Sequence, residues 1–363
     1  MPDTRNVPII LLGLGNVGGT LLRQILDTRQ TLAQRAGLRL VPIALADISG
    51  LLFESEGLPE ETLRQALQAV SSGCLLDAVP GIRPLDDIYA ALRPEATLAD
   101  LTASPETMPM LRAALETGCG VVLANKIPLA APWAEAQLFF EYPRLRYEVT
   151  VGAGLPVIAG LRYLLDTGDR VTAIEGCLSG TLGYLCAELE RGTPYSTAIA
   201  QARALGYTEP DPRDDLSGKD VARKALILAR TAGWPLEERD LAVEPLYPET
   251  LAGLSVDEFM AALPTVDAEY AARVEQARAE GMVLRYIARV GPTGGAVGPM
   301  AVPKDSPLGA LHGPANYIAI HTARYNEVPM VFSGPGAGRE VTAAGVLWDI
   351  VELGRMTNPN PNH

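Results

Sequence analysis

Residues able to do chemistry are densest between positions 206 and 224, where the chain reads GYTEPDPRDDLSGKDVARK. Prolines at 210 and 212 lack an amide hydrogen and restrict their predecessors, so no helix is expected before about Leu216. Ser217 suits an N-cap, and Asp220 three residues on completes a pattern like a capping box. The run VARKALILAR then repeats apolar residues at helical spacing. Asp220 and Lys224 therefore lie on one helix face, one turn apart. Such a pair can be no more than a helix cap and an exposed ion pair of small weight. Glu209 just upstream, and the rest of the chain, favour a chemical role.

The chain has three histidines, at 312, 321 and 363. Catalysis is therefore not expected to rest on a histidine base, and lysines and carboxylates become the candidates. The four cysteines (Cys74, Cys119, Cys177, Cys186) show no CxxC spacing. They read as reduced, buried thiols of a cytoplasmic protein, not a disulfide frame or a zinc site. A net charge of −13 weighs against a nucleic-acid partner. The apolar run near the N-terminus is too short to span a bilayer and leads straight into a glycine loop, so neither a membrane segment nor a signal peptide is expected. With 363 residues, 48% of them hydrophobic, the chain is long enough for two domains with their own cores.

That run, 7–12, ends in GLGNVG, with Gly13, Gly15 and Gly18 in GxGxxG register and a helical pattern after them. Strand, glycine turn and helix are the context this motif requires. Gly13 permits the turn, Gly15 lets a pyrophosphate approach the backbone, and Gly18 lets helix pack on strand. Asn16 and Val17 open a helix whose N-terminus faces the phosphates. A second strand, 38–46, is closed by Asp47, an acid placed to bond a ribose diol and repel a 2′-phosphate. It lies further from the glycines than usual, so a longer helix or loop must intervene. No Lys or Arg follows Asp47 until Arg64, which favours NAD over NADP. A solvated acid at a strand end is the alternative.

Helical patterns at 63–70, 85–92, 108–117 and 133–140 alternate with strands at 97–101, 121–124 and 145–149. This succession predicts an α/β fold with a doubly wound, Rossmann-type parallel sheet. Thr102 and Ser104 then stand at the carboxyl end of a strand, where small hydroxyl residues suit the cofactor crevice. Lys126, in ANK, ends another strand at the same edge. In EVTVGAGLPVI (148–158) the glycines at 152 and 154 break the strand into a tight curve whose carbonyls suit a hard cation, although such a loop is more often just a crossover between domains. Beyond it come a strand at 171–179, helices at 161–165, 195–205, 257–263 and 268–280, and strands at 282–290, 296–302, 317–321 and 328–332 alternating as in an antiparallel sheet. The last glycine cluster, 334–338, opens a final helix, 341–353. The expected organisation is a dinucleotide-binding domain (1–148), an α+β substrate and dimerisation domain (149–332), and a C-terminal helix (333–363) returning to the first.

Several stretches together resemble the monofunctional homoserine dehydrogenases: GLGNVG (13–18), ANK (124–126), EVTVGAGLPVI (148–158), LSGT (178–181), the whole of 206–224, and GPGAGREVTAAGV (334–346). They occur in family order over nearly the full length. The resemblance implies reversible hydride transfer between L-homoserine and L-aspartate 4-semialdehyde, using NAD or NADP, on the route to threonine, methionine and isoleucine. It implies that Glu209 and Asp220 hold the homoserine amino group, that Lys224 donates and accepts the proton at the substrate oxygen, and that Lys126 lies close to nicotinamide and substrate. It further implies a sodium ion on the backbone of Glu148, Val151, Ala153 and Leu155, Gly338 near the cofactor, and a homodimer. The short form is expected to lack a kinase and a C-terminal regulatory domain, hence feedback inhibition through such a domain. A dehydrogenase of another small amino acid or semialdehyde, or a non-catalytic dinucleotide sensor, remain as alternatives.

Overall fold

The computed structural model describes residues 4–311 and 313–356; His312, His363 and the tail 357–363 lie outside the described residues. The chain divides into two compact units, Met1–Gly154 with Ala337–His363, and Leu155–Gly336.

The first unit is built on a six-stranded sheet. The N-terminal apolar run becomes β1 (Arg5–Leu12), whose last six residues are buried. It feeds α1 (Asn16–Asp27), and a further helix, α2 (Arg29–Ala36), supplies the extra length between the glycines and Asp47. β2 (Leu38–Asp47) turns back on β3 (Gly50–Phe53) as an antiparallel hairpin. Then come α3 (Glu60–Ser71), β4 (Thr97–Asp100), α4 (Met108–Thr117), β5 (Gly120–Leu123), α5 (Ile127–Ala130), α6 (Trp133–Phe140) and β6 (Leu145–Arg146). The strand order is β3-β2-β1-β4-β5-β6, parallel at every pairing but β2–β3. Strands buried on both faces read as continuous apolar runs, as β5 does, while β4 is equally buried but ends in Asp100. The order reverses between β1 and β4, and ligands of such sheets bind outside the carboxyl ends at that reversal.

The C-terminal helix, Arg339–Met356, belongs to this unit. Its Ala343, Val346, Ile350, Val351 and Leu353 are buried in one cluster with Val7, Ile9 and Leu38. The boundaries differ from the expected ones, which fell after 148 and 332. Residues 149–154 stay with the first unit because Val149 packs beneath Gly345, where a Cβ would meet its Cγ1 at 2.5 Å, and Gly154 lies against the Val341 carbonyl. The second boundary falls at Gly336 because the last strand runs to Pro335. Two expected elements also change. The helix at 85–92 is a 3-10 helix, Leu85–Ala91. The strand at 145–149 stops at Arg146, because Glu148–Thr150 tightens into a 3-10 turn closed by the Thr150 hydroxyl donating to the Tyr147 carbonyl at 2.7 Å.

The second unit opens with α7 (Val157–Asp166), β7 (Val171–Cys177), α8 (Gly180–Glu190) and α9 (Tyr195–Ala204). α10 (Pro212–Leu216), α11 (Lys219–Thr231), β8 (Leu241–Val243), α12 (Val256–Ala262) and α13 (Asp267–Ala279) follow. It closes with β9 (Met282–Gly291), β10 (Gly294–Pro303), β11 (Ala315–Thr322) and β12 (Met330–Pro335). The sheet order is β12-β11-β7-β9-β10-β8. The four late strands are antiparallel as their spacing predicts, but β7 slots between β11 and β9, and β8 adds a parallel edge that the sequence pattern does not reveal. Among the described residues no helix is long and apolar enough to cross a membrane.

One buried contact ties the C-terminal helix to the curve after β6. The Asp349 carboxylate, 2% exposed, accepts the Glu148 amide at 2.9 Å. Asp349→Ala takes this acceptor away from a buried donor, a loss of about 1–3 kcal/mol. Urea unfolding checks it, and an unchanged midpoint would refute the role.

Candidate active site

In the first unit the three motif glycines are glycine for different reasons. Gly13 has φ +86, and a Cβ there would meet Thr102 at 2.9 Å. A Cβ on Gly18 would stand 2.0 Å from the Gly13 carbonyl oxygen. The fold itself demands both. Gly15 has an ordinary φ of −64, and a Cβ there would meet nothing within 4 Å. Neither strain nor packing requires glycine at 15, so the remaining physical reason is the approach of a ligand to the backbone. Gly15 is also the N-cap of α1 and makes no side-chain cap bond, so the amides at Asn16 and Val17 open the helix without a side-chain acceptor. Gly15 and Asn16 line a cleft of about 580 Å³ within the unit.

Asp47 stands next to this turn, since the Gly13 amide donates to the Ala46 carbonyl. Its carboxylate is largely engaged by its own surroundings. One oxygen accepts the Ser49 amide at 2.8 Å and the Ser49 hydroxyl at 2.5 Å, and the other accepts the Leu76 amide at 2.8 Å. The acid clasps the β2–β3 turn to residue 76, which leaves less of it for a ribose than the sequence pattern suggests.

At the carboxyl ends of β4 and β5 lies a network that the sequence does not disclose. Asp100, fully buried, accepts the Thr102 amide and hydroxyl on one oxygen, and the Thr107 hydroxyl and the Asn125 side chain on the other. Asn125 also donates to the Ser104 carbonyl at 2.8 Å and accepts the Ile127 amide at 3.0 Å. The predicted Thr102, Ser104 and Lys126 are thus brought together, with Lys126 the residue between Asn125 and α5. Asp and Asn are usually exposed types; only Asn125 had a sequence signal, as the middle of ANK. Gly338, with φ +131, immediately precedes the C-terminal helix and accepts the Thr342 amide.

On the curve after β6, Glu148 and Val151 are buried, and Ala153 has φ +54, the single positive φ of a non-glycine among the described residues. A left-handed residue with a side chain costs about 1–2 kcal/mol, so this curve is held rather than relaxed. Leu155 begins the second unit, and its carbonyl accepts the Val157 amide. Among the described residues no group of three His, Cys, Asp or Glu side chains is arranged to hold a metal. A cation here would rely on carbonyl oxygens, the donor type of a hard ion.

In the second unit Lys224 sits on α11 with its side chain 12% exposed. Its ammonium pairs with Asp220 at 2.8 Å and donates to the Leu178 carbonyl, at the end of β7, at 2.7 Å. Ser179 then caps α8 by accepting the Leu182 amide. The approach to α11 corrects two expectations. A short helix, Pro212–Leu216, forms despite the prolines, because Pro212 stands at N1, where no amide is needed, and Asp211 caps it. Ser217 ends that helix, one position before the N-cap of the next, although its hydroxyl does accept the Lys219 amide at 3.3 Å. Gly218, with φ +71, is the N-cap of α11, and a Cβ there would collide with the Tyr286 hydroxyl. The glycine allows a reversal that moves the helix start one residue on.

Of the acids in this stretch, Asp211 is spent on Arg213. Asp215, given no role by sequence, accepts the Glu209 amide at 2.8 Å and so ties Glu209 to the Asp220–Lys224 region. Burial raises its carboxyl above the usual range; the Asp220 and Asp214 charges add, while the Glu209 amide and Thr181 hydroxyl oppose. The arrangement is one ammonium held by Asp220 and a backbone carbonyl, with the Asp215 carboxyl within electrostatic reach of Asp220, a set able to move a proton and to grip a cation.

A family model described as homoserine dehydrogenase matches residues 156–351. A homoserine dehydrogenase of Paracoccidioides brasiliensis is 41% identical over 275 residues, 71% of this chain and 74% of that protein. The chain belongs to the homoserine dehydrogenase family. A Zea mays bifunctional aspartokinase/homoserine dehydrogenase is 39% identical over 351 residues, 94% of this chain but 38% of its own length, so the chain spans well under half of that relative. A hyperthermophilic archaeal homoserine dehydrogenase in complex with NADPH superposes with a TM-score of 0.74 at 26% identity, covering 98% of this chain and 99% of that one. Glu209, Asp220 and Lys224 all lie within the stretch matched by the homoserine dehydrogenase family model, whereas the glycine turn lies before it.

Two measurements follow from this geometry. Gly18→Ala forces a backbone carbonyl aside and is expected to cost about 1–3 kcal/mol in urea unfolding, whereas Gly15→Ala leaves the midpoint unchanged and weakens dinucleotide binding; equal stability losses would refute the distinction. For Asp215, a raised folded-state value means that the native protein binds the proton more tightly than the unfolded chain. Stability therefore falls as pH rises from the unfolded value through the folded one. Asp215→Asn is expected to outlast the parent in urea at pH 7, with the advantage gone below about pH 4; an equal advantage at both would refute the desolvation account.

Proposed function

We propose that this protein catalyses the reversible oxidation of L-homoserine to L-aspartate 4-semialdehyde with a nicotinamide dinucleotide. The observation that carries this is the Lys224 ammonium, held by Asp220 and the Leu178 carbonyl, in a chain of the homoserine dehydrogenase family. A bound nicotinamide ring supplies or takes the hydride; the chain's own groups orient the substrate and handle the proton.

An ammonium has three donors. Two of those on Lys224 go to Asp220 and Leu178, and the third is directed to the substrate oxygen. In aldehyde reduction the ammonium delivers the proton, and in alcohol oxidation the same nitrogen, as the neutral amine, receives it. Glu209 and Asp220, with Asp215 beside them, hold the ammonium of the amino acid through charge-assisted bonds. Lys126, at the carboxyl end of β5, binds cofactor and substrate. Gly13, Gly15, Asn16, Val17 and Gly18 take the pyrophosphate, Thr102, Ser104 and Gly338 complete the cofactor site, and the carbonyls at Glu148, Val151, Ala153 and Leu155 take a sodium ion. Asp47, with no cation following it until Arg64, favours NAD, although the archaeal relative is described with NADPH. The working form is a cytoplasmic homodimer, the first unit binding dinucleotide and the second binding substrate.

Initial rates of homoserine oxidation, measured at alkaline pH because the reaction releases a proton, test this with NAD and NADP side by side. Turnover is expected with both and faster with NAD; faster turnover with NADP would discard the role of Asp47 and keep the reaction. Lys224→Ala is expected to lower kcat by about 10²–10⁴ with NADH affinity unchanged, and Asp220→Ala to raise the KM for homoserine. Absence of turnover from a folded protein that binds NADH would overturn the proposal.

A further inference from the structure

We propose that Arg339 is a cationic ligand for the diphosphate of the dinucleotide, an addition to the glycine turn that the GxGxxG pattern does not include. The inference rests on the dinucleotide reading above.

Arg339 is the first residue of the C-terminal helix and lines the same cleft as Gly15 and Asn16, all within the first unit. The cleft holds two guanidinium groups, Arg23 and Arg339, and one acid, Glu340. These charges are not shared evenly. Glu340 forms an ion pair with Arg23, and its other oxygen and its carbonyl accept the Gln24 side chain at 3.3 and 3.0 Å. Those contacts fix the first turn of the C-terminal helix on α1 and consume both the acid and Arg23. No hydrogen bond or ion pair joins the Arg339 side chain to any described residue; its charge reaches the neighbouring Glu340 only through space, where, after the Arg23 hydrogen bond, it helps hold that carboxyl below the usual range.

The cleft floor explains which ligand this cation meets. Gly15 faces open space and α1 starts there without a side-chain cap, so the backbone is laid open to an anion at the helix start. A guanidinium presents a fork of donors that matches phosphate oxygens. A 2′-phosphate would lie beside the ribose at the end of β2, and neither Asp47 nor Ser49 lines this cleft. The geometry therefore points to the diphosphate common to NAD and NADP, and not to the group that separates them.

Dissociation constants of NADH, NADPH and ADP-ribose, measured for the parent chain, Arg339→Ala and Arg339→Lys at low and high salt, test this. Arg339→Ala is expected to weaken all three by the same factor, about tenfold as for one charge-assisted bond, and to flatten the salt dependence. Arg339→Lys restores part of the affinity as a point charge. The unfolding midpoint stays unchanged, since no bond within the fold is lost. Affinities that do not move, or a loss confined to NADPH, would overturn the assignment of Arg339 alone. A parent chain that binds none of the three would overturn the dinucleotide reading together with it.

Discussion

A polar group at the carboxyl end of a buried strand has to be paired, and both units are arranged around meeting that requirement. Asp100 in the first unit is fully buried, and both of its oxygens accept bonds from the loops that follow β4 and β5. Lys224 in the second unit is nearly buried, and its charge is met by the Leu178 carbonyl and Asp220. An unpaired buried charge costs several kcal/mol, so these contacts are conditions of folding as much as features of a site. The same bonds that satisfy Asp100 fix Thr102, Thr107 and Asn125, the residue before Lys126, and Asn125 in turn holds the Ser104 carbonyl.

Preorganisation follows from this economy. Lys224 is held by two partners and keeps a donor for a third, so its ammonium is presented from a fixed position. Asp215 pulls the Glu209 backbone toward the Asp220 region while its own carboxyl resists ionisation. The curve at 148–154 repeats the pattern with backbone: Ala153 sits in a conformation that costs energy, and burial of Val149 and Val151 with the Asp349 contact holds it there.

The C-terminal helix joins fold and site in the first unit. Its apolar residues complete the core around β1 and β2, which fixes its axis. Its first turn is tied to α1 through Glu340, Arg23 and Gln24. A glycine-rich entry, ending at Gly338, lets the chain reach α1 at the level of the glycine turn, and so places Arg339 on the cleft.

What the sequence determined by itself is local. The strand–glycine–helix context at 13–18, the parallel succession of strands in the first unit, and the i,i+4 placement of Asp220 and Lys224 follow from spacing and backbone chemistry over a few residues. So does the family resemblance, which rests on contiguous stretches. What only the tertiary structure decided depends on residues far apart in the chain. Local rules placed the cap of α11 at Ser217, but Tyr286 sits against Gly218, and the reversal there sets the start. Spacing could not place β7 between β11 and β9, because pairing of strands more than a hundred residues apart leaves no periodic mark. Asp100, Asn125 and Asp215 carry ordinary surface types, and their importance comes from burial and partners. Gly13, Gly15 and Gly18 look alike in a motif; only the space around each Cα separates the two that the fold requires from the one that it does not.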